Sequence, residues 1–430
     1  MSGNMKNILI KNVRLIDPKN QQDLTTDFYI RQQLVAGIGN APENFQADEI
    51  IDADKLWLIP GIIDLSARLR EPGLEQKANI ETEARAAACA GITTLCVPPD
   101  TDPVIDEPAV VELIHRKAKQ AQQSHVHTLG ALTAGLKGEH LSEMAALKDA
   151  GCIGVSNCRG AVKNSLILRR AFEYASTHNI TVFIEPHDEF LGANGCAHEG
   201  AIASRLGLTP VPYAAETAPI AQILELIRDT DTRIHFGRLS CARSIELINE
   251  AKASGLKVSA DVAAHQLHLT EMDISSFNSQ YHVLPPLRTQ RDMEALRNGV
   301  AEGIISSICS DHQPHELDAK LAPFPATEPG ISGLETLLPL TLKLVDNGVL
   351  SLNAAIASIT CNPAKILGLD TGHLAIGQAA NLCLIDPEKE WTLNAEDMLS
   401  HGKNTPFSGW NFTGKVVRTI IEGHQVFVAE

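Results

Sequence analysis

The chain carries near its start an apolar run that ends in charged residues: Pro60-Gly61-Ile62-Ile63-Asp64-Leu65-Ser66-Ala67-Arg68-Leu69-Arg70-Glu71-Pro72-Gly73. Side chains along a β-strand point alternately to opposite faces, so Ser66 and Arg68 share a face. The run predicts a buried strand over Leu58–Ser66. Its carboxyl end presents a serine and an arginine side by side.

Seven similar runs follow, and amphipathic segments with apolar residues at three- and four-residue spacing lie between them. With the first strand, the predicted strands are Leu58–Ser66, Thr93–Val97, Val126–Ala131, Cys152–Ser156, Thr181–Glu185, Arg233–Gly237, Leu256–Val262 and Ile304–Ser310. The predicted helices include Ile80–Ala90, Ala109–Ala121, Leu166–Ser176, Ala218–Arg228 and Ser244–Ala253. Eight such alternations favour a TIM (β/α)8 barrel. An open doubly wound sheet is the alternative, but no Gly-rich phosphate loop follows the first strand.

Both ends of the chain have the pattern of small antiparallel strands. Short apolar runs at Ile8–Ile10 and Leu34–Val35 are broken by turn residues, and Asn381–Asp386 and Val416–Gly423 look alike. We therefore predict a small β-sandwich-like domain built from residues 1–56 and 370–430. The barrel would occupy residues 57–369.

Composition and charge exclude several classes of protein. The 430 residues include 36 basic and 52 acidic ones, a net charge of −16, which argues against nucleic acid or an anionic membrane as partner. No apolar run approaches the roughly 18 residues of a membrane span, and Met1–Asn12 lacks the apolar core of a signal peptide. Nine cysteines without regular spacing indicate buried thiols in a reducing compartment. We expect a cytoplasmic protein.

Short motifs occur in a fixed order along the chain. They are Pro99-Asp100-Thr101-Asp102-Pro103, Pro285-Pro286-Leu287-Arg288, Ser310-Asp311-His312-Gln313-Pro314-His315, Gly330-Ile331-Ser332-Gly333-Leu334-Glu335-Thr336, Asn362-Pro363-Ala364-Lys365 and Asn404-Thr405-Pro406-Phe407. With the first run, this series resembles that of the dihydroorotases of the amidohydrolase superfamily over nearly the whole chain. The resemblance implies a TIM barrel with a flanking β domain. It also implies a parental chemistry in which metal-activated hydroxide opens or closes the dihydroorotate ring.

The resemblance also locates the family's metal ligands, and most of them are replaced. The corresponding positions are Ser66, Arg68, Asn157, Glu185, Arg238 and Asp311. A guanidinium has no lone pair for a metal and repels a divalent cation. Glu185 could still bind zinc, but only Asp311 keeps the family's residue, which serves there as metal ligand and general base. One intact ligand does not make a zinc site, so we expect no metal, no cofactor and no catalytic residue, with Asp311 as a remnant.

The replacements compensate one another in charge. Without two divalent cations, Glu185 and Asp311 would face each other as unpaired like charges in a partly enclosed cavity, which is costly. Arg68 and Arg238 supply the opposite charge. We predict that these two guanidiniums occupy the volume that the metals fill in the family and pair with Asp311 or Glu185.

Four further positions correspond to substrate contacts of the family. Arg70 matches an arginine that grips a carboxylate bidentately, although a structural ion pair with Asp100 or Asp311 is an equal alternative. Asp100 stands in place of an asparagine, and its charge would repel the anionic dihydroorotate. His265 is retained, whereas Leu284 replaces a polar asparagine. We expect dihydroorotate to bind weakly or not at all.

Other histidines suggest sites that we consider less favoured. His125 and His127 share a strand face, but at the end of the third strand away from an active site. Glu185, His187 and Asp311 could form a single-metal site, which the nearby arginines oppose. We interpret His312 and His315 as hydrogen-bond partners that order a loop. No Gly-x-Ser-x-Gly motif or Cys-His arrangement offers another mechanism.

Functions of different classes fit this sequence. Known non-catalytic homologues of dihydroorotase lack the metal histidines and assemble with aspartate transcarbamoylase in de novo pyrimidine biosynthesis. The resemblance to them implies a pseudoenzyme that acts as a structural or assembly subunit, with the aspartate transcarbamoylase catalytic subunit as partner in a homo- and hetero-oligomer. The alternative is a zinc-dependent cyclic amidohydrolase with an unusual site, which Asp311, Arg70 and His265 favour. A small-molecule sensor that uses Arg70 is a third possibility.

Overall fold

The computed structural model describes residues 6–429. The ends of the predicted terminal domain, and part of the Met1–Asn12 segment, lie outside the described residues. Five strands open the chain. They are β1 (Ile8–Asp17), β2 (Gln22–Arg31), β3 (Leu34–Ile38), β4 (Glu49–Asp52) and β5 (Trp57–Pro60). Strand β1 pairs antiparallel with β2 and parallel with β4 and β5.

Eight parallel strands form the barrel. They are β6 (Ile62–Asp64), β7 (Ile92–Val97), β8 (His125–Ala131), β9 (Gly154–Ser156), β10 (Val182–Ile184), β13 (Ile234–Phe236), β14 (Val258–Ala263) and β15 (Ser307–Cys309). Two short strands, β11 (Ala197–His198) and β12 (Pro210–Val211), pair with each other in the connection after β10. A parallel bridge between Ala67 and His312 joins the last strand to the first. The predicted TIM barrel is confirmed.

Helices alternate with these strands. They are α1 (Ile80–Cys89), α2 (Pro108–Ala121), α3 (Met144–Asp149), α4 (Ser165–Thr177), α5 (Ala201–Leu206), α6 (Ala214–Leu226), α7 (Ala242–Ala253), α8 (Gln290–Ala301), α9 (Leu334–Asp346), α10 (Leu352–Ile359) and α11 (Cys361–Leu367). The five predicted helices are confirmed as α1, α2, α4, α6 and α7, with small differences at their ends. Within residues 6–429, none of the helices combines the length and the apolar character needed to cross a membrane.

The chain ends form one sheet. Strands β16 (Leu382–Thr392), β17 (Asn411–Ile421) and β18 (His424–Val428) join the opening strands in the order β18-β17-β16-β5-β1-β2-β3, with β4 beside β1. This confirms that the termini combine into one β unit, because β16 pairs antiparallel with β5. The exact division at residues 56 and 370 stays a prediction.

The predicted single strand Leu58–Ser66 is wrong. The apolar run is divided at Gly61, so that β5 belongs to the terminal sheet and β6 pairs with β7 of the barrel. A Cβ atom at Gly61 would lie 2.2 Å from Oγ1 of Thr93. The chain therefore changes sheets where only a glycine fits against β7.

Candidate functional site

The six positions that correspond by resemblance to the metal ligands of the dihydroorotases meet at the carboxyl ends of the barrel strands. Ser66, Arg68, Asn157, Glu185, Arg238 and Asp311 follow β6, β9, β10, β13 and β15, and all six are buried. In a parallel barrel these strand ends share one face, which is where such folds place their active sites. The topology therefore brings together residues that are up to 245 positions apart in sequence.

The backbone at this end of the barrel turns sharply. Four residues there adopt the left-handed conformation without being glycine: Arg70 (φ 65°), Cys158 (φ 49°), Arg238 (φ 56°) and Asp311 (φ 47°). Such backbone costs on the order of 1 kcal/mol or more per residue and is typical of functional sites. Three of these four residues are among the predicted site positions.

Arg68 forms the first part of an ion-pair cluster. Its Nε lies 2.7 Å from Oδ2 of Asp100, its Nη2 3.4 Å from Oε1 of Glu185 and its Nη1 3.5 Å from Oδ1 of Asp311. Burial alone would lower the pKa of Arg68, but the charges of Asp100 and Asp311 outweigh it and raise that pKa above its usual value. Arg68 is therefore a permanent cation among three carboxylates.

Arg238 enters the same cluster from the sixth barrel strand. Its Nη2 contacts Oε1 of Glu185, its Nε lies 3.5 Å from Oδ1 of Asp311 and its Nη1 donates to Oγ of Ser66. The backbone N–H of Arg238 donates to Oδ1 of Asp261 at 2.6 Å, which fixes the turn. The predicted pairing of Arg68 and Arg238 with Glu185 and Asp311 is confirmed.

A third guanidinium belongs to the cluster, and the sequence reasoning gave it no role. The Nε of Arg159 lies 3.4 Å from Oε2 of Glu185, and its Nη2 donates to the carbonyl of Leu284. Burial lowers the pKa of Arg159 to about 10, so it remains charged at neutral pH. We call Arg68, Arg159, Arg238, Asp100, Glu185 and Asp311 the arginine cluster, in which three cations face three carboxylates. The only signal in the sequence was a basic residue three positions after β9.

Asn157 lies beside the cluster but turns to its own loop. Its Oδ1 accepts a hydrogen bond from Oγ1 of Thr133 at 2.5 Å, and its Nδ2 donates to the carbonyl of Gly160 at 2.6 Å. Both ends of the amide are therefore engaged in ordering the connection after β9.

Arg70 does not form the ion pair that was one of its two interpretations. Its Nε donates to the carbonyl of Pro314 at 3.1 Å, and its Nη2 lies 3.3 Å from Nε2 of His315. Across residues 6–429, the ion pairs of Asp100 and Asp311 go to other arginines. Burial, together with the charge of Arg68, lowers the pKa of Arg70 to about 10.

His265 is buried, and its Nε2 has no hydrogen-bond partner among the residues that the structure describes. Burial lowers the pKa of His265 to about 4, and the charge of Asp311 opposes that shift only in part. The imidazole is therefore neutral at pH 7. Its Nε2 can therefore still accept or donate one hydrogen bond.

Little space remains around the cluster. A cavity of about 20 Å³ is lined by Arg159, Glu185, Arg238 and Leu284 among others, and one of about 10 Å³ by Arg68, Arg70 and Asp100. Roughly 10–15 Å³ holds a single water molecule, whereas small-molecule sites commonly measure about 300–1,000 Å³. In this conformation these two cavities beside the cluster are too small for a ligand larger than about a water molecule.

His312 and His315 have structural partners in the loops that they were predicted to order. The Nε2 of His312 lies 2.9 Å from Oε2 of Glu83, and the backbone N–H of His315 donates to Oδ1 of Asn404 at 2.8 Å. These contacts agree with loop ordering. His125 and His127 lie at the start of β8, at the opposite end of the barrel.

The donor set does not fit the zinc that the resemblance implies. Arginines and a serine stand at ligand positions, and an arginine cannot coordinate a cation. In the described part of the chain, no three His, Cys, Asp or Glu side chains come together in a way that could hold a metal ion.

A model of the amidohydrolase family matches residues 57–426. The chain belongs to the amidohydrolase family. Among its relatives within this family, a dihydroorotase-like protein of Pseudomonas aeruginosa is 48% identical over 417 residues, which cover 97% of this chain and 98% of that protein. A dihydroorotase of Geobacter sp. is 41% identical over 426 residues, 98% of this chain and all of that protein.

Solved structures of the family share the fold. The L-hydantoinase (dihydropyrimidinase) of Arthrobacter aurescens superimposes with a TM-score of 0.88 over 99% of this chain and 98% of its own, at 23% identity. The dihydropyrimidinase of Brevibacillus agri gives a TM-score of 0.84 over 97% and 94%, at 22% identity. At this identity the likeness concerns the architecture alone.

Proposed function

We propose that this amidohydrolase-family chain is a non-catalytic dihydroorotase homologue that serves as a structural or assembly subunit of aspartate transcarbamoylase. The observation that carries the proposal is the arginine cluster. Two guanidiniums, from Arg68 and Arg238, lie against Glu185 and Asp311, where the resemblance puts metal ligands. The name of the Pseudomonas aeruginosa relative, a dihydroorotase-like protein, agrees with it.

Asp311 is poorly arranged to act as a base. Its Oδ1 lies 3.5 Å from Nη1 of Arg68 and from Nε of Arg238, and it accepts a hydrogen bond from Nε2 of Gln313 at 3.1 Å. Three side chains therefore engage this oxygen. Ring opening also needs an activated water, and an arginine cannot lower the pKa of water as a bound metal does.

The loops around the barrel mouth favour a protein partner. Leu317 and Leu321, after β15, are 74% and 68% exposed, and Phe190, after β10, is 71% exposed. The Nζ of Lys320, in the loop after β15, donates to the carbonyls of Ser279 and His282 in the connection after β14. Exposed large apolar side chains around a filled mouth are typical of a surface that another protein covers. We place the aspartate transcarbamoylase contact there.

The first test combines assembly and catalysis. The chain and the aspartate transcarbamoylase catalytic subunit of the same organism are co-expressed, and the mass of the eluted species is measured by light scattering. We expect a stable complex. Leu317→Asp with Leu321→Asp should weaken it, whereas Ile376→Asp, at a residue that is 67% exposed in the connection before β16, should not. Separate elution of the two unmodified proteins would refute the proposal.

The second candidate is a zinc-dependent cyclic amidohydrolase. The buried Nε2 of His265, unpartnered within residues 6–429, and the retained Asp311 are the observations that favour it. Elemental analysis of protein purified without chelators, with a dihydroorotate ring-opening assay in added Zn²⁺, separates the two. Stoichiometric metal with turnover that Asp311→Ala abolishes would establish the enzyme; absence of turnover supports the subunit.

A further inference from the structure

A large groove lies at the amino-terminal ends of the barrel strands, opposite to the arginine cluster. It has a volume of about 990 Å³. Thr181, Arg233 and Ser306, each directly before a barrel strand, contribute to its walls. A groove of this size is in the range of small-molecule sites, and the function proposed above makes no use of it.

The groove is basic in an acidic protein. Its charged lining residues are Lys148, Arg233, Lys252, Lys257 and Lys365, and none of the aspartates and glutamates that the structure describes lines it. The whole chain carries 16 more acidic than basic residues. Of the five cations, one forms an ion pair within residues 6–429: Nζ of Lys257 lies 2.7 Å from Oδ2 of Asp231. A concave surface with an excess of one charge concentrates ions of the opposite charge.

Helix capping accounts for some of these lysines. Lys148 and Lys252 occupy the last turns of α3 and α7, and their Nζ atoms donate to the carbonyls of His178 at 2.8 Å and Ile304 at 2.7 Å. Cations stabilise these helix ends, so such contacts need no ligand.

Lys365 differs from Lys148 and Lys252 in its contacts. It lies in the last turn of α11, is exposed, and makes neither a side-chain hydrogen bond nor an ion pair in the described part of the chain. Burial lowers the pKa of Lys252, and the charge of Lys365 lowers it further, so the two ammonium groups repel each other. An anion between them would remove that repulsion.

Apolar side chains line the same groove. They are Ile153, Leu256, Val258, Ile366 and Leu369, and all five are partly exposed. Asn179, Asn362 and Ser259 also line it. A groove with both apolar and cationic side chains suits a ligand with a flat ring at one end and several negative charges at the other.

We propose that this groove binds a nucleoside di- or triphosphate, with the ring against its apolar lining residues and the phosphates between Lys252, Lys365 and Arg233. The proposal is independent of the function of the barrel mouth. It assigns a ligand site to the end of the barrel that faces away from the arginine cluster.

The test measures binding of ATP and UTP to the full chain by isothermal titration calorimetry, with AMP and inorganic tripolyphosphate as comparison ligands. We expect ATP and UTP to bind more tightly than AMP, which carries fewer negative charges, and than tripolyphosphate, which lacks a ring. Binding should weaken as salt concentration rises, because the contacts are ionic. Equal affinity for tripolyphosphate and both nucleotides would show that the apolar residues do not bind a ring, and would overturn the proposal of a nucleotide.

A charge reversal with a matched control locates the site. Lys365→Glu should weaken triphosphate binding about tenfold or more, the effect of losing roughly 1.4 kcal/mol of interaction. Lys119→Glu, at an exposed lysine in the last turn of α2, should leave the affinity unchanged. Thermal unfolding checks that both variants fold. Absence of nucleotide binding at millimolar concentration, or equal losses in both variants, would refute the proposal.

Discussion

The Nε of Arg68 lies 2.7 Å from Oδ2 of Asp100, and this contact joins the loop after β6 to the loop after β7. Burial would raise the pKa of Asp100, but the charge and hydrogen bond of Arg68, with the charges of Arg70 and Arg238, hold it below its usual value of 3.8. The charge of this carboxylate is thus balanced by the guanidinium of Arg68.

Asp100→Asn should destabilise the protein at neutral pH. Because the pKa of Asp100 is lowered on folding, its stabilisation is present above the usual pKa and is lost as the pH falls through the folded value. We expect a loss in the free energy of unfolding of only about 1–2 kcal/mol at pH 7, because this carboxylate is partly exposed. The loss should shrink towards acid pH. Urea unfolding of both proteins at several pH values measures it. A loss that does not depend on pH would contradict this explanation.

Arg238→Met should be more damaging. It leaves Glu185 and Asp311 with too little positive charge in a buried place, for which losses of about 3–5 kcal/mol are typical. Combining it with Glu185→Gln should recover part of the loss, because one buried charge is then removed. The control is Arg243→Met, whose contacts with Glu246 and Glu250 are exposed, screened by solvent and should contribute little to stability. Comparable losses for the two single variants would contradict the role of the cluster.

Asp64→Asn should change how stability depends on pH. The carboxyl of Asp64 is buried beneath Ser310, whose N–H donates to its Oδ1 at 2.9 Å, and burial raises the pKa of Asp64 to about 7. A raised acid pKa gives stability that is present below the usual value and lost as the pH rises through the folded value. Between about pH 4 and pH 7 the unfolding free energy of the wild type should fall relative to that of Asp64→Asn, by up to about 1 kcal/mol per pH unit. Parallel pH profiles would show that Asp64 does not titrate there.

Restoring ligands should require several changes together. Arg68→His alone should bind no zinc, because Arg238 and Arg159 still repel a cation near Glu185. The combination of Ser66→His, Arg68→His and Arg238→His places three imidazoles beside two carboxylates and should bind zinc stoichiometrically. Elemental analysis after dialysis measures both variants. Zinc in the single variant, or none in a folded triple variant, would show that the guanidiniums do not occupy the metal volume.

The barrel and the terminal sheet could be predicted because both follow from local patterns. Alternating apolar runs and amphipathic helices gave the eight strand positions, and turn residues marked the end strands. The division of Leu58–Ser66 was missed because the run stays apolar across Pro60 and Gly61. What separates β5 from β6 is the contact of Gly61 with Thr93, which is tertiary.

The sequence predicts those contacts of the site that follow from the balance of buried charges. The pairing of Arg68 and Arg238 with two carboxylates follows from the cost of burying unpaired charge. Arg159 was missed because the direction of a long side chain beyond a strand end is set by neighbouring loops, here by the carbonyl of Leu284. The same holds for Arg70, whose partners Pro314 and His315 lie in a distant connection.

The interlocked arginine cluster also bears on how such a chain can change over generations. Each of its guanidiniums contacts carboxylates that follow other strands. Replacement of any one guanidinium therefore leaves a buried carboxylate with too little positive charge beside it. A lineage that gained one histidine at a time at these positions would pass through less stable proteins before any metal could bind. The cluster therefore opposes the stepwise formation of a metal site, because the first replacements are the ones that selection for stability removes.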